Sequence, residues 1–73
     1  MARNVYRVVA EGRLWAVVFG GRPVATFRVR DNAVRRARQL AWRDQPSVVT
    51  VHGPDGSVEL EVPIGHDPYP TSG

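Results

Sequence analysis

The segment "DNAVRRARQLAWRDQP", Asp31 to Pro46, decides the fold because it alone repeats apolar residues with a helical period. At about 100° per residue, its apolar side chains fall within an arc of about 120°, which predicts a helix with small residues on its inner face. The residues on this arc are Ala33, Val34, Ala37, Leu40 and Ala41. Asp31 is the predicted N-cap, and Pro46 ends the helix because it lacks an amide hydrogen.

Five short apolar segments around the helix predict β-strands, three before it and two after it. They run from 5 to 10, 14 to 19, 24 to 30, 47 to 52 and 57 to 62. The connection "GPDG", Gly53 to Gly56, is typical of a hairpin turn, since proline presets φ and glycine tolerates positive φ. The predicted fold is therefore α+β, a small antiparallel sheet in the order β-β-β-α-β-β with the helix packed on one face. Residues 1–64 form the predicted single domain, and residues 65–73 a proline-spaced C-terminal tail.

The third and fifth strands alternate apolar and polar residues, which predicts one buried face for each. Ala25, Phe27 and Val29 are the predicted inward residues of the third strand, and Val58, Leu60 and Val62 are those of the fifth. The carboxylates of the fifth strand, Glu59 and Glu61, then face outward. There they have the reach to neutralise Arg28 and Arg30 across the sheet.

The second strand, "LWAVVF", is apolar at every position, although a single helix covers only one face of a sheet. A monomer therefore leaves one alternate set of its residues in water. The two sets are Leu14, Ala16 and Val18, and Trp15, Val17 and Phe19. A chain of 73 residues has a thin core and no cysteine for a disulfide, so we expect a homodimer with Leu14, Ala16 and Val18 at its interface.

Composition excludes several classes of activity. The chain has no cysteine and only His52 and His66 as histidines, so zinc–cysteine sites and histidine metal cages are not expected. It has no glycine-rich phosphate loop leading into a helix, and too few candidates for a Ser/His/Asp triad. We therefore expect no enzyme activity, no cofactor, no metal and no small-molecule substrate. It also has neither a signal peptide nor an apolar run long enough to span a membrane, so the expected location is cytoplasmic.

The arginines indicate an anionic partner. Residues 1–45 hold all ten arginines and only three acidic residues, whereas residues 46–73 hold four acidic residues and no basic one. On the predicted helix, Arg35, Arg38 and Trp42 lie off the core arc, where guanidinium groups bind phosphates and the indole stacks on a base. Arg28 and Arg30 extend the predicted nucleic-acid site. The alternative is that Trp42 folds over a sheet edge with arginines packed on its ring.

Two further segments have structural interpretations. His52 ends a strand beside the "GPDG" turn, and we interpret it as a hydrogen-bond partner of that turn, with Asp55 as one candidate. In the tail "GHDPYP", Asp67 precedes a proline and Tyr69 lies between two prolines. We interpret Asp67 and Tyr69 as a clasp on the domain itself, the alternative being that Tyr69 docks on a partner.

The chain resembles a family of small bacterial proteins known as domain of unknown function 2188. The resemblance rests on "YRVV" at 6–9, "LWAVV" at 14–18, "AVRRARQLA" at 33–41, "VHGPDGSV" at 51–58 and "GHDPYP" at 65–70. It implies a module of two β-hairpins around one helix, and it implies no activity. The sequence thus predicts a non-catalytic binding module that associates weakly with nucleic acid, the alternative being a homo-oligomeric interaction module without nucleic-acid binding.

Overall fold

The computed structural model describes residues 3–65, which form one helix packed on a five-stranded sheet. The strands are β1 Asn4–Glu11, β2 Leu14–Phe19, β3 Arg22–Phe27, β4 Ser47–His52 and β5 Val58–Ile64, and α1 Arg30–Arg43 separates β3 from β4. The predicted α+β class, the element order and the helix on one sheet face are all confirmed.

The sheet is mixed rather than antiparallel throughout. Its strand order is β3-β2-β1-β4-β5, and the central pair, β1 and β4, is parallel. The three other pairs are antiparallel. The purely antiparallel expectation was wrong at the centre because α1 returns the chain across the sheet face, so that β4 enters beside β1 in the same direction. Such a crossover joins parallel strands, whereas the tight turns elsewhere join antiparallel ones.

The core lies between α1 and one face of the sheet, and valine and alanine dominate it. Ala33, Ala37 and Ala41 are fully buried, and Val34 and Leu40 pack partly buried beside them, so the predicted helix stripe is confirmed. Their short side chains bring the helix close to Val8, Val17, Val49 and Val51, which are also fully buried. Tyr6 completes the core and stacks on Phe19, with ring centroids 4.5 Å apart. The result is a dense but thin core.

The helix begins earlier than predicted. Val29 occupies the N-cap position with an extended backbone and no side-chain hydrogen bond, so the prediction of Asp31 as N-cap was wrong. Asp31 lies instead in the first turn, where a carboxylate interacts favourably with the helix dipole. The residues before Asp31, "RVR" at 28–30, did not indicate a helix start, because arginine and valine are also compatible with a strand.

The C-terminal end of α1 is held by side chains from β1 and β4. Ser47 Oγ lies 2.8 Å from the carbonyl oxygen of Ala41 and 2.7 Å from that of Asp44, and its one hydroxyl hydrogen is shared between them. Asn4 Nδ2 donates to the Asp44 carbonyl at 2.7 Å, and the Tyr6 hydroxyl donates to Asp44 Oδ2 at 2.8 Å. The bonds from Ser47 and Asn4 satisfy carbonyl groups that the last helical turn leaves without partners, and the bond from Tyr6 holds the Asp44 carboxylate.

Two strands differ from their predicted inward faces. β3 ends at Phe27, so Ala25 and Phe27 face the core as predicted, whereas Val29 lies beyond the strand and is 52% exposed. In β5 a register shift at the Val51/His52 step of β4 places Val58 opposite His52, and Val58 is 55% exposed. Leu60 is on the helix side, opposite Val51, but stays 50% exposed because β5 is an edge strand.

Candidate nucleic-acid interface

The side of α1 that faces away from the sheet carries a row of exposed arginines. Burial of the alanine stripe turns Arg35, Arg36, Arg38, Trp42 and Arg43 toward solvent, and we call this set the basic helix face. Trp42 is 66% exposed, so it does not fold over the sheet edge. The exposed indole thus lies on the same helix side as several cationic groups.

The nearby acidic groups do not neutralise this face. Within residues 3–65 a single salt bridge is present, from Arg30 Nη2 to Glu59 Oε1 at 2.8 Å. Arg36 Nη1 donates to Gln39 Oε1 at 3.3 Å, which orients the guanidinium group but leaves its charge. Asp31 lies one turn before Arg35 without forming a salt bridge to it in the described part of the chain. The free cationic surface is therefore centred on Arg35 and Arg38.

Arg30 and Arg28 have different environments from the arginines further along the helix. Arg30 starts α1, pairs with Glu59 and places its guanidinium carbon 5.8 Å from the centroid of the Trp15 ring. The expected neutralisation across the sheet thus occurs for Arg30 and Glu59. Arg28 lies exposed in the link between β3 and α1. Arg28 adds charge beside the basic helix face, whereas Arg30 is committed to an intramolecular pair and to packing on Trp15.

The second strand divides its residues between the two faces of the sheet. Trp15, Val17 and Phe19 face the helix and belong to the core or pack against it. Leu14, Ala16 and Val18 are therefore on the opposite face, which we call the open face, because successive strand residues point to opposite sides. Leu14 is 38% exposed, whereas Ala16 has no exposed surface. Of the predicted interface residues, Leu14 and Val18 have surface left to bury.

His52 supports the turn that joins β4 to β5, as predicted, although its partner is not Asp55. Its Nδ1 lies 2.9 Å from the Gly56 carbonyl oxygen, which accepts only, so Nδ1 carries the hydrogen. Asp55 Oδ1 instead accepts from Ser57 Oγ at 2.7 Å and from Ser57 N at 3.0 Å. Both bonds lower the pKa of Asp55, and the bond from the Ser57 hydroxyl has the larger effect. His52 Nε2 is buried without a hydrogen-bond partner.

A surface depression on α1 is lined by side chains of that one helix, from Asp31 to Arg43, and a single convex helix does not enclose a substrate. Residues 3–65 contain no group of three His, Cys, Asp or Glu side chains able to hold a metal. Over the same residues, no helix has the length and apolar character needed to cross a bilayer. The predicted clasp residues Asp67 and Tyr69 lie outside the described residues.

Comparison with known proteins identifies a family but no activity. The sequence pattern of a family described as uncharacterised protein conserved in bacteria (DUF2188) matches residues 6–61. No curated protein and no solved structure gives a significant match. The matched residues run from the first strand into the last and include the whole helix, which confirms the resemblance seen in the sequence. The chain therefore belongs to this family of uncharacterised bacterial proteins.

Proposed function

We propose that the protein is a non-catalytic module that binds nucleic acid weakly and without sequence preference through the basic helix face. The observation that carries the proposal is Trp42, 66% exposed on the same helix side as Arg35 and Arg38. Arginine guanidinium groups bind phosphates, and an exposed aromatic ring beside them offers a platform on which a base can stack. We also propose a cytoplasmic location, because the nucleic acid of a bacterial cell is in the cytoplasm and the chain belongs to a bacterial family.

The chemistry of the face fits a single strand better than the edges of a base pair. Arg35 and Arg38 supply charge, Arg28 lies near the start of the helix, and one exposed ring supplies a stacking platform. Charge neutralisation and stacking are both tolerant of base identity. The expected dissociation constant is on the order of micromolar or weaker, and it rises steeply with salt because binding releases counterions.

The test is fluorescence anisotropy with a labelled single-stranded oligonucleotide of mixed sequence, at low and moderate salt. R35A/R38A removes two cations from the face, and R13A/R22A removes two exposed arginines elsewhere. We expect R35A/R38A to weaken binding by about tenfold or more and to lower the salt slope by about one to two units, since each lost phosphate contact contributes about 0.7 to 0.9. The control pair should change the affinity much less.

Trp42 has its own test. W42A should weaken binding by about 1–3 kcal/mol if the indole stacks on a base, with little change in the salt slope. A mutant that binds as tightly as the unmodified protein would remove the stacking role. Equal losses in R35A/R38A and R13A/R22A would mean that binding follows overall charge rather than the helix. The whole proposal is wrong if the protein does not bind at low salt.

A further inference from the structure

The proposed nucleic-acid binding uses only the basic helix face. It assigns no role to the open face of the sheet, on the other side of the molecule. Opposite the helix, β1 and β4 present apolar side chains that no other element among residues 3–65 covers. They are Val5 and Val9 of β1 and Val48 of β4, all half-buried. The protein's own core contains no fully buried side chain larger than valine among the described residues. A domain with so thin a core gains much from covering this second face.

The open face carries two side chains of opposite charge, Arg7 and Glu61, at the same position along the strands. The register pairs Arg7 of β1 with Thr50 of β4, and Thr50 with Glu61 of β5. Their neighbours Tyr6 and Val62 pack on the helix side, so Arg7 and Glu61 point to the open side. Both are exposed, and no salt bridge joins them within the described chain. With strands about 4.8 Å apart, their backbones are roughly 10 Å from each other, with Thr50 midway.

We propose that the open face binds the same face of a second copy of this chain, around a two-fold axis that runs along β4. Rotation by half a turn about such an axis lays the partner's β5 over β1 and the partner's β1 over β5, and it leaves β2, with Leu14 and Val18, outside the overlap. Positions along the strands are unchanged, so Arg7 meets the partner's Glu61, and Glu61 meets the partner's Arg7. One interface thus contains two identical ion pairs on either side of Thr50, as an isologous contact requires.

Charge complementarity selects this arrangement over others. A two-fold axis across the strands at the level of Thr50 would place Arg7 over the partner's Arg7, a repulsive contact. The axis along β4 also keeps the strands of the two sheets aligned, which is the common geometry of stacked sheets. Pairing through the sheet edges is disfavoured because each edge strand carries a proline, Pro23 in β3 and Pro63 in β5.

The dimer is independent of the proposed function. Stacking through the open faces leaves the helix of each copy on the outside, so both basic helix faces remain accessible. Either inference therefore survives failure of the other. A dimer that binds nucleic acid would do so on two opposite sides.

The test uses charge reversal and sedimentation equilibrium on the full chain. R7E places a glutamate over the partner's Glu61, and E61R places an arginine over the partner's Arg7. We expect each single variant to weaken dimerisation by about tenfold or more, because both ion pairs become repulsive at once. The two variants mixed in equal amounts should form a heterodimer in which both contacts are again between opposite charges. R36E, the same charge change on the opposite side of the molecule, is the control and should leave the dimer intact.

Several outcomes overturn the proposal. A monomer mass for the unmodified protein at millimolar concentration excludes the interface. A dimer that neither R7E nor E61R weakens, or that R36E weakens equally, uses another surface. Failure of the mixed variants to associate contradicts the axis along β4.

Arg7 and Glu61 are exposed, so both variants should fold, and circular dichroism of each checks that loss of the dimer is not loss of the fold. Should either variant fail to fold, V48E tests the same face by placing a glutamate on β4, opposite the same glutamate of the partner, and a dimer that survives it overturns the proposal.

Discussion

The hydroxyl of Tyr6 links the stability of the fold to alkaline pH. It donates to Asp44 Oδ2 at 2.8 Å, and the Tyr6 residue is only 7% exposed. Burial first, then the hydrogen bond and the negative charge of Asp44, raise the pKa of Tyr6 from 10 to about 12. Each of these causes favours the protonated phenol in the folded state.

The sign of the pH dependence follows from this direction. Below pH 10 the phenol is protonated in both the folded and the unfolded chain, and its contribution to stability is complete. Above pH 10 the unfolded chain releases the proton and the folded chain keeps it, so unfolding becomes easier as pH rises toward 12. Two pH units correspond to at most about 3 kcal/mol, a large share of the stability of a small domain.

Tyr6→Phe isolates the contribution of this one hydroxyl. The ring and its stacking on Phe19 remain, so the variant loses only the bond to a carboxylate, which we expect to cost about 1–2 kcal/mol at pH 7. The assay is urea unfolding followed by circular dichroism at pH 7, 9, 11 and 11.5. The unmodified protein should lose stability above pH 10, and Y6F should lose much less.

Tyr69→Phe is the matched control because it removes the only other tyrosine, and it should behave like the unmodified protein. D44N tests the partner, since it should lower the alkaline loss without removing the phenol. The reasoning is refuted if Y6F and the unmodified protein lose stability in parallel between pH 10 and 11.5.

Three further substitutions test the fold. Gly56 has φ +88° and open space around its missing side chain, so G56A should cost about 1–2 kcal/mol through backbone strain alone, and an unchanged melting temperature would contradict this. S47A leaves two carbonyl groups at the end of α1 without their side-chain donor and should cost about 1–2 kcal/mol, measured by urea unfolding. V8A removes two methyl groups from a fully buried site and should cost roughly 2–3 kcal/mol; a loss below about 0.5 kcal/mol would mean that the core is loosely packed there.

The sequence determined those features that depend on local pattern. The spacing of the alanines at 33, 37 and 41 with Val34 and Leu40 predicts a helix, because a helical period gathers all five on one side, whereas a strand would put Val34 and Leu40 opposite the alanines. The "GPDG" turn requires positive φ at its last residue, and Gly56 has it. The alternation in β5 correctly placed Val62 toward the helix. Each of these inferences uses residues within a few positions of one another.

Only the tertiary structure decided features that depend on which segments become neighbours. Pairing of β1 with β4 joins residues more than 40 positions apart, and nothing in either strand encodes its direction relative to the other. The sequence left open which of Arg28 and Arg30 pairs with Glu59 or Glu61, and only the packing of the helix start beside the edge strand selected Arg30 and Glu59. The helix start itself moved to Arg30 because Val29 and Arg30 have no strong local preference.

The second strand shows the division most clearly. The sequence "LWAVVF" shows that both faces of the strand are apolar. It does not show which face the helix covers. Which face the helix covers depends on the register with β1, where Tyr6 lies opposite Phe19 and Val8 opposite Val17. That register sends Trp15, Val17 and Phe19 into the core and leaves Leu14 and Val18 on the open face. A strand has period two, so a shift of one residue would have exchanged the two sets, and only the packing of the whole chain excludes it.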